Sequence, residues 1–178
     1  MRPRVLVAGV GNALLGDDGF GVDVVQRLEA EALPDWVQIA DFGLGCGARV
    51  AQHLLGGYDT TILVDATPRG GRPGELCVIE AELDEHPHAL PLLLDPHGIR
   101  PEGALRLLEL LGGDAGRVLV VGCEPAKTTG VGLSDPVAAA VPEAVRIVRD
   151  LVWGTEPGRP VVSVQPEAPR QFEAVRGQ

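Results

Sequence analysis

No apolar run in this 178-residue sequence reaches the roughly 18 to 20 residues needed to span a bilayer. No secretory leader opens it either: Arg2 and Arg4 precede only the short run Val5 to Val10. The expectation is a cytoplasmic protein with no membrane partner. Aromatics are scarce, at 3%, so Val, Leu, Ala and Ile must fill the core. Cys46, Cys77 and Cys123 are widely spaced and form no Cys-x-x-Cys pair. That argues against a zinc ribbon or a disulfide framework and for buried free thiols. Positive charge is in deficit, with 15 Lys and Arg against 25 Asp and Glu and a net charge of −10. Such a surface repels nucleic-acid phosphates and anionic membranes, so no nucleic-acid partner is expected. A basic protein partner is compatible with it.

Several catalytic signatures are missing as well. Gly9-Val-Gly-Asn12 begins like a dinucleotide fingerprint, but the third glycine position holds Leu14. Two acidic residues follow where a pyrophosphate needs positive surroundings. No Gly-Lys-Ser/Thr completes a phosphate loop. No Gly-x-Ser-x-Gly elbow exists, and the serines are Ser134 and Ser163. Cys46, in the turn Gly45-Cys-Gly47, is the one thiol placed where a nucleophile could sit, and only its loop position supports that role.

What is present is an alternation of strand and helix signals. Val5 to Val10 reads as a strand buried on both faces. Gly21, Val24, Val25 and Leu28 have helical spacing, with Asp17 or Asp18 able to cap the start. Val37 to Asp41, Thr60 to Val64, Leu76 to Ile79 and Arg117 to Gly122 read as further strands. Helices are predicted over Ala48 to Leu55, Pro101 to Leu111 and from Ser134 to about Val152, with Ser134 as cap and Pro142 kinking or restarting the last one. Glu80 to Asp95, which holds His86 and His88, is irregular. The 24 glycines and 15 prolines suit many short connections. This pattern predicts a single α/β domain over 1–153, a three-layer sandwich with a mostly parallel five-stranded sheet and helices on both faces. Residues 154–178 read as a Pro-rich tail with little core to bury.

Open parallel sheets bind ligands outside the carboxyl ends of their strands. That rule gathers Asn12, Asp17 and Asp18 after the first strand, Asp41 after the second, Asp65 after the third, Glu124 after the fifth and His97 before a helix. Singly, each has an ordinary role in a cap or turn. Asp18, Asp65 and His97 together make a borderline ligand set, two carboxylates and an imidazole, suited to a divalent transition metal such as nickel or zinc. His53, mid-helix, and His86 and His88, in polar sequence, are weaker candidates.

Four ordered blocks then resemble the hydrogenase maturation endopeptidases over roughly residues 4 to 152. They are Leu6-Val-Ala-Gly-Val-Gly-Asn-Ala-Leu-Leu-Gly-Asp-Asp-Gly-Phe-Gly-Val22; Ile62-Leu-Val-Asp-Ala66 with Gly70-Gly71 and Pro73-Gly74; Asp95-Pro-His-Gly98; and Val121-Gly-Cys-Glu-Pro125 with Gly132-Leu-Ser-Asp-Pro136 and Val141-Pro142. Phe42-Gly-Leu-Gly-Cys-Gly47 departs from the family in being richer in glycine and lacking a small hydroxyl residue near its centre. The resemblance implies a protease that trims the C-terminal extension of a nickel–iron hydrogenase large-subunit precursor after nickel insertion. It implies that Asp18, Asp65 and His97 contact that nickel, which the substrate supplies, with zinc or cadmium able to stand in for it in a crystal. A metallohydrolase with its own bound metal and a non-catalytic metallochaperone for the precursor are the alternatives.

Overall fold

The computed structural model of the chain describes residues 3–43, 53, 56–80 and 116–155. Strand β1 is Val5–Gly9, helix α1 Phe20–Glu29, β2 Val37–Asp41, β3 Thr60–Ala66, β4 Leu76–Glu80, β5 Arg117–Cys123 and helix α2 Asp135–Gly154. A 3-10 turn, Gly16–Gly19, joins β1 to α1. The strands form one five-stranded sheet in the order β2-β1-β3-β5-β4. β1 pairs in parallel with β2 and β3, and β3 with β5, while β4 runs antiparallel to β5. The α/β domain with a mostly parallel five-stranded sheet is thus the one the sequence predicts.

Side-chain alternation divides the sheet into two apolar faces. Val5, Val7, Ile62, Val64, Leu119 and Val121 meet Val24, Val25 and Leu28 of α1 and Val137, Val141, Ala144, Val148 and Val152 of α2 in one core. Leu6, Ala8, Ala40, Leu63 and Val118 form the other face with Phe42 and Tyr58. Each fully buried Val or Leu contributes about 1.5–3 kcal/mol relative to exposure, so valine and leucine supply what the missing aromatics do not. His53, a helical residue, brings its ring edge-on to Phe42 at 5.3 Å on this second face. The rest of the helix expected over Ala48 to Leu55, the helix expected over Pro101 to Leu111, the irregular stretch after Glu80 and the tail from 156 onward lie outside the described residues.

Two expectations about element ends need correction. β3 extends past Val64, because Asp65 and Ala66 still pair with Gly122 and Cys123 of β5 after β1 has ended at Gly9. Helix α2 does not restart at Pro142; it runs as one helix from Asp135 to Gly154. Pro142 is exposed, and the stripe Val137, Val141, Ala144, Val145, Val148 and Val152 is buried on both sides of it. That burial outweighs the roughly 3 kcal/mol cost of an interior proline.

Candidate active site

The strand order creates a crevice. The chain leaves β1 toward β2 on one side, and β3 lies on the other. The carboxyl ends of β1 and β3 therefore flank the switch point where α/β sheets bind ligands. After β1 the chain folds tightly. Gly11 has φ +120°, a region that favours glycine. Leu14 N–H donates to Asn12 Oδ1 at 2.9 Å, Leu15 N–H donates to Asn12 O at 2.9 Å, and Asn12 N–H donates to Asp18 O at 3.1 Å. Gly21 then fixes the entry of α1: a side chain there would collide with the carbonyls of Val64 and Val10. This close approach brings the turn carrying Asp18 against the end of the strand carrying Asp65.

Asp18 is partly buried, and burial raises its carboxyl above the ordinary aspartate range, with a backbone N–H bond from Asn12 opposing the shift. Asp65 is the penultimate residue of β3, partly buried and in register with Gly122. Gly122 leaves room on that face for its neighbours: a Cβ there would lie 2.7 Å from Thr67 Oγ1 and 2.9 Å from Cys77 Sγ. The fold thus brings Asp18 and Asp65 to one edge. His97 lies outside the described residues, as do Cys46, His86 and His88. Among the described residues no three His, Cys, Asp or Glu side chains converge as a metal-holding group.

Asp17 departs most from expectation. It caps no helix: the N-cap of α1 is Gly19, without a side-chain cap bond. Instead Asp17 is fully buried and its carboxylate accepts four hydrogen bonds. Ala126 N–H donates to Oδ2 at 2.7 Å, Lys127 N–H to Oδ2 at 2.8 Å, Ser134 N–H to Oδ1 at 2.6 Å and the Ser134 hydroxyl to Oδ2 at 2.9 Å. Burial alone would raise its pKa; the N–H groups of Ser134, Lys127 and Ala126 and the Ser134 hydroxyl outweigh that and hold it below the usual value. Ser134 does sit at the N-cap of α2, but its hydroxyl serves Asp17 and makes no cap bond. The sequence hint was faint: an acidic pair between glycines, and a serine more than a hundred residues later.

Glu124 and Asp41 also reach the carboxyl edge, in structural roles. Glu124 is buried and its carboxylate accepts Arg69 N–H at 2.7 Å and Gly70 N–H at 3.3 Å, pinning the loop after β3. Asp41 accepts Gly43 N–H at 2.8 Å. Cys77 and Cys123 are free thiols. Register places Cys77 opposite Gly122 and Cys123 opposite Leu76, so the two cysteines face opposite sides of the sheet. Burial, reinforced by the Asp17 charge, pushes the Cys123 thiol up to about 12, which makes it a poor nucleophile.

Comparison with known proteins agrees with this architecture. The sequence model of the hydrogenase maturation protease family matches residues 22–151. A Methanocaldococcus jannaschii relative is 36% identical over 155 residues, covering 83% of this chain and 95% of that one. The hydrogenase 2 maturation protease of Escherichia coli K12 is 32% identical over 151 residues, covering 82% of this chain and 88% of its own. Among solved structures, the hydrogenase maturating endopeptidase HybD of E. coli superposes with a TM-score of 0.71 at 29% identity, over 84% of this chain and 92% of that one. No helix among the described residues is long and apolar enough to cross a membrane. The family match over most of the chain, the identity to relatives along nearly their full length and the shared fold establish that this chain belongs to the hydrogenase maturation proteases, hydrolases of peptide bonds.

Proposed function

We propose that this protein removes the C-terminal extension of a nickel–iron hydrogenase large-subunit precursor once nickel is in place, and that Asp18, Asp65 and His97 contact that nickel. The observation that carries the reading is the pairing of Asp18 and Asp65 at the β1–β3 switch point, where a ligand meets the open carboxyl edge of the sheet. Carboxylate oxygens and an imidazole suit borderline divalent metals. Nickel here belongs to the substrate: open positions on a metal held by precursor side chains accept the three groups, and an unloaded precursor offers no such bonds. Specificity is then a difference of affinities set by the metal. Either the metal or a carboxylate of the pair, Asp18 or Asp65, is suited to activate the attacking water.

The test is incubation of the full chain with nickel-loaded and metal-free precursor, read by mass spectrometry. Loss of the extension from the loaded form alone is expected, with His97→Ala slowing it. Equal cleavage of the metal-free form would remove the metal checkpoint, and binding without cleavage would replace the protease reading with a chaperone.

A further inference from the structure

Glu124 is a buried carboxylate that holds a loop outside the core. Its side chain accepts Arg69 N–H at 2.7 Å on one oxygen and Gly70 N–H at 3.3 Å on the other. Its backbone is tied to the same loop: Gly74 N–H donates to Glu124 O at 2.8 Å, and Glu124 N–H donates to Glu75 O at 2.9 Å. Arg69 and Gly70 are exposed, so water could serve their amides. Burying a carboxylate to hold them adds little net stability. What it fixes is the path of the chain just after Asp65. At that point β3 is losing its support, because pairing with β1 stops at Val64 and only the pairing with β5 continues through Asp65 and Ala66. Thr67 then crosses close over Gly122, the residue in register with Asp65. Its N–H donates to Cys123 O at 2.8 Å, and its Oγ1 lies 2.7 Å from where a Gly122 Cβ would be.

The segment that begins at Glu124 also grips the neighbour of the other site carboxylate. Ala126 and Lys127 N–H groups donate to the Asp17 carboxylate at 2.7 and 2.8 Å, and Asp17 N–H donates to Lys127 O at 2.9 Å. Pro125, with its fixed φ, joins the two grips. The short segment 124–127 thus holds the loop after Asp65 at one end and the residue before Asp18 at the other. We propose that Glu124 is a positioning residue for the cleavage: it sets Asp65 relative to Asp18 without itself meeting the precursor. The proposal rests on the reading of Asp18 and Asp65 as site residues and adds to it what fixes their separation. Reacting groups displaced by about 1 Å lose on the order of 100-fold in rate, so a tie of this kind governs rate more than stability.

The experiment compares wild type with Glu124→Gln and Glu124→Leu, and repeats both in an Asp65→Asn background. Urea denaturation establishes that each chain is folded. Amide hydrogen exchange at Arg69 and Gly70, followed by NMR in the isolated chain, reads the tie itself. Processing of nickel-loaded precursor, read by mass spectrometry, gives kcat/KM, with long incubations for the residual rates of the Asp65→Asn chains. Gln keeps one acceptor and Leu keeps none, so protection of the two amides is expected to fall in the order wild type, Gln, Leu. kcat/KM should fall about tenfold with Gln and about 100-fold with Leu. In the Asp65→Asn background the same substitutions should add less than about threefold, because the group they displace is already lost. Should the Leu variant not fold, the near-isosteric Gln variant decides alone. Released amides with wild-type kcat/KM would overturn the proposal. Equal fractional losses in both backgrounds would also overturn it, since they mark an effect on the fold at large. Failure of the underlying reading shows separately: Asp65→Asn alone would then process at the wild-type rate, before Glu124 is touched.

Discussion

Asp17 and Asp18 are adjacent in sequence and belong to different regions of the molecule. Asp17 points into the interior, where three backbone N–H groups and a hydroxyl saturate it. Asp18 faces the carboxyl edge of the sheet, desolvated but with far fewer donors, and its pKa moves the opposite way. A carboxylate given more donors than burial costs it stays ionised and serves as a structural tie. One that is desolvated with little compensation keeps a higher proton affinity and is available for chemistry. The 3-10 turn makes this division possible, since successive side chains in it leave in different directions.

The comparison breaks first at the edge. Asp18→Asn and Asp65→Asn should each lower precursor processing by about 100-fold or more, as for loss of a group that moves a proton or holds a reacting centre, while circular dichroism stays native. Retained processing in either variant would strip that residue of its site role. Asp17→Ala comes next and acts on folding. It leaves four donors without their acceptor and should cost about 3–5 kcal/mol in urea denaturation, well above the roughly 0.5–2 kcal/mol of a lost helix cap. A loss within the cap range would return Asp17 to that simpler role. Gly21→Ala, pressed on the Val64 and Val10 carbonyls, should cost about 1–3 kcal/mol through overpacking and reduce processing by displacing the Asp18 turn from Asp65; unchanged stability and rate would show that the turn can shift freely.

Acid titration sharpens the same contrast, because the two carboxylates contribute with opposite sign. Asp17 has a lowered folded pKa, so its stabilisation is complete above the unfolded value of about 3.9 and is lost as pH falls through the folded one. Asp18 has a raised folded pKa, so the folded state binds its proton more readily and stability falls as pH rises from about 3.9 through that higher value. Asp17→Asn should therefore flatten the acid limb of the stability–pH curve and Asp18→Asn should steepen its rise. Identical curves for the two variants would contradict the opposed shifts. The smallest effect is expected far from the site: Glu80→Gln, which removes the surface pair with Arg117 at 2.7 Å, should cost less than about 1 kcal/mol.

Much of the fold was legible because it depends on local pattern. Val37 to Asp41 was bounded correctly from alternation alone, and the run Val5 to Val10 announced a strand with helices or loops on both sides. The rule that places ligands at strand ends puts Asp18 and Asp65 at one edge of the sheet from sequence pattern alone. What escaped the sequence depends on contacts between distant segments. Nothing local distinguishes Asp17 from a helix cap, because its partners Ala126, Lys127 and Ser134 lie more than a hundred residues away. Pro142 looks like a breaker until the valine stripe around it is seen to be buried. Glu124 looks like a site residue until Arg69 and Gly70 are found donating to it.

Trp36 and Trp153 meet edge to face, their ring centroids 6.1 Å apart, and they are the two tryptophans of the chain. One precedes β2 and the other closes α2, so the last turn of the long helix is fastened to the sheet margin through the protein's whole indole content. Tryptophan emission therefore reports the seating of the helix end against that margin. That emission arises away from the carboxyl edge, and a ligand that changes it acts through the end of α2 or the segment leading into β2.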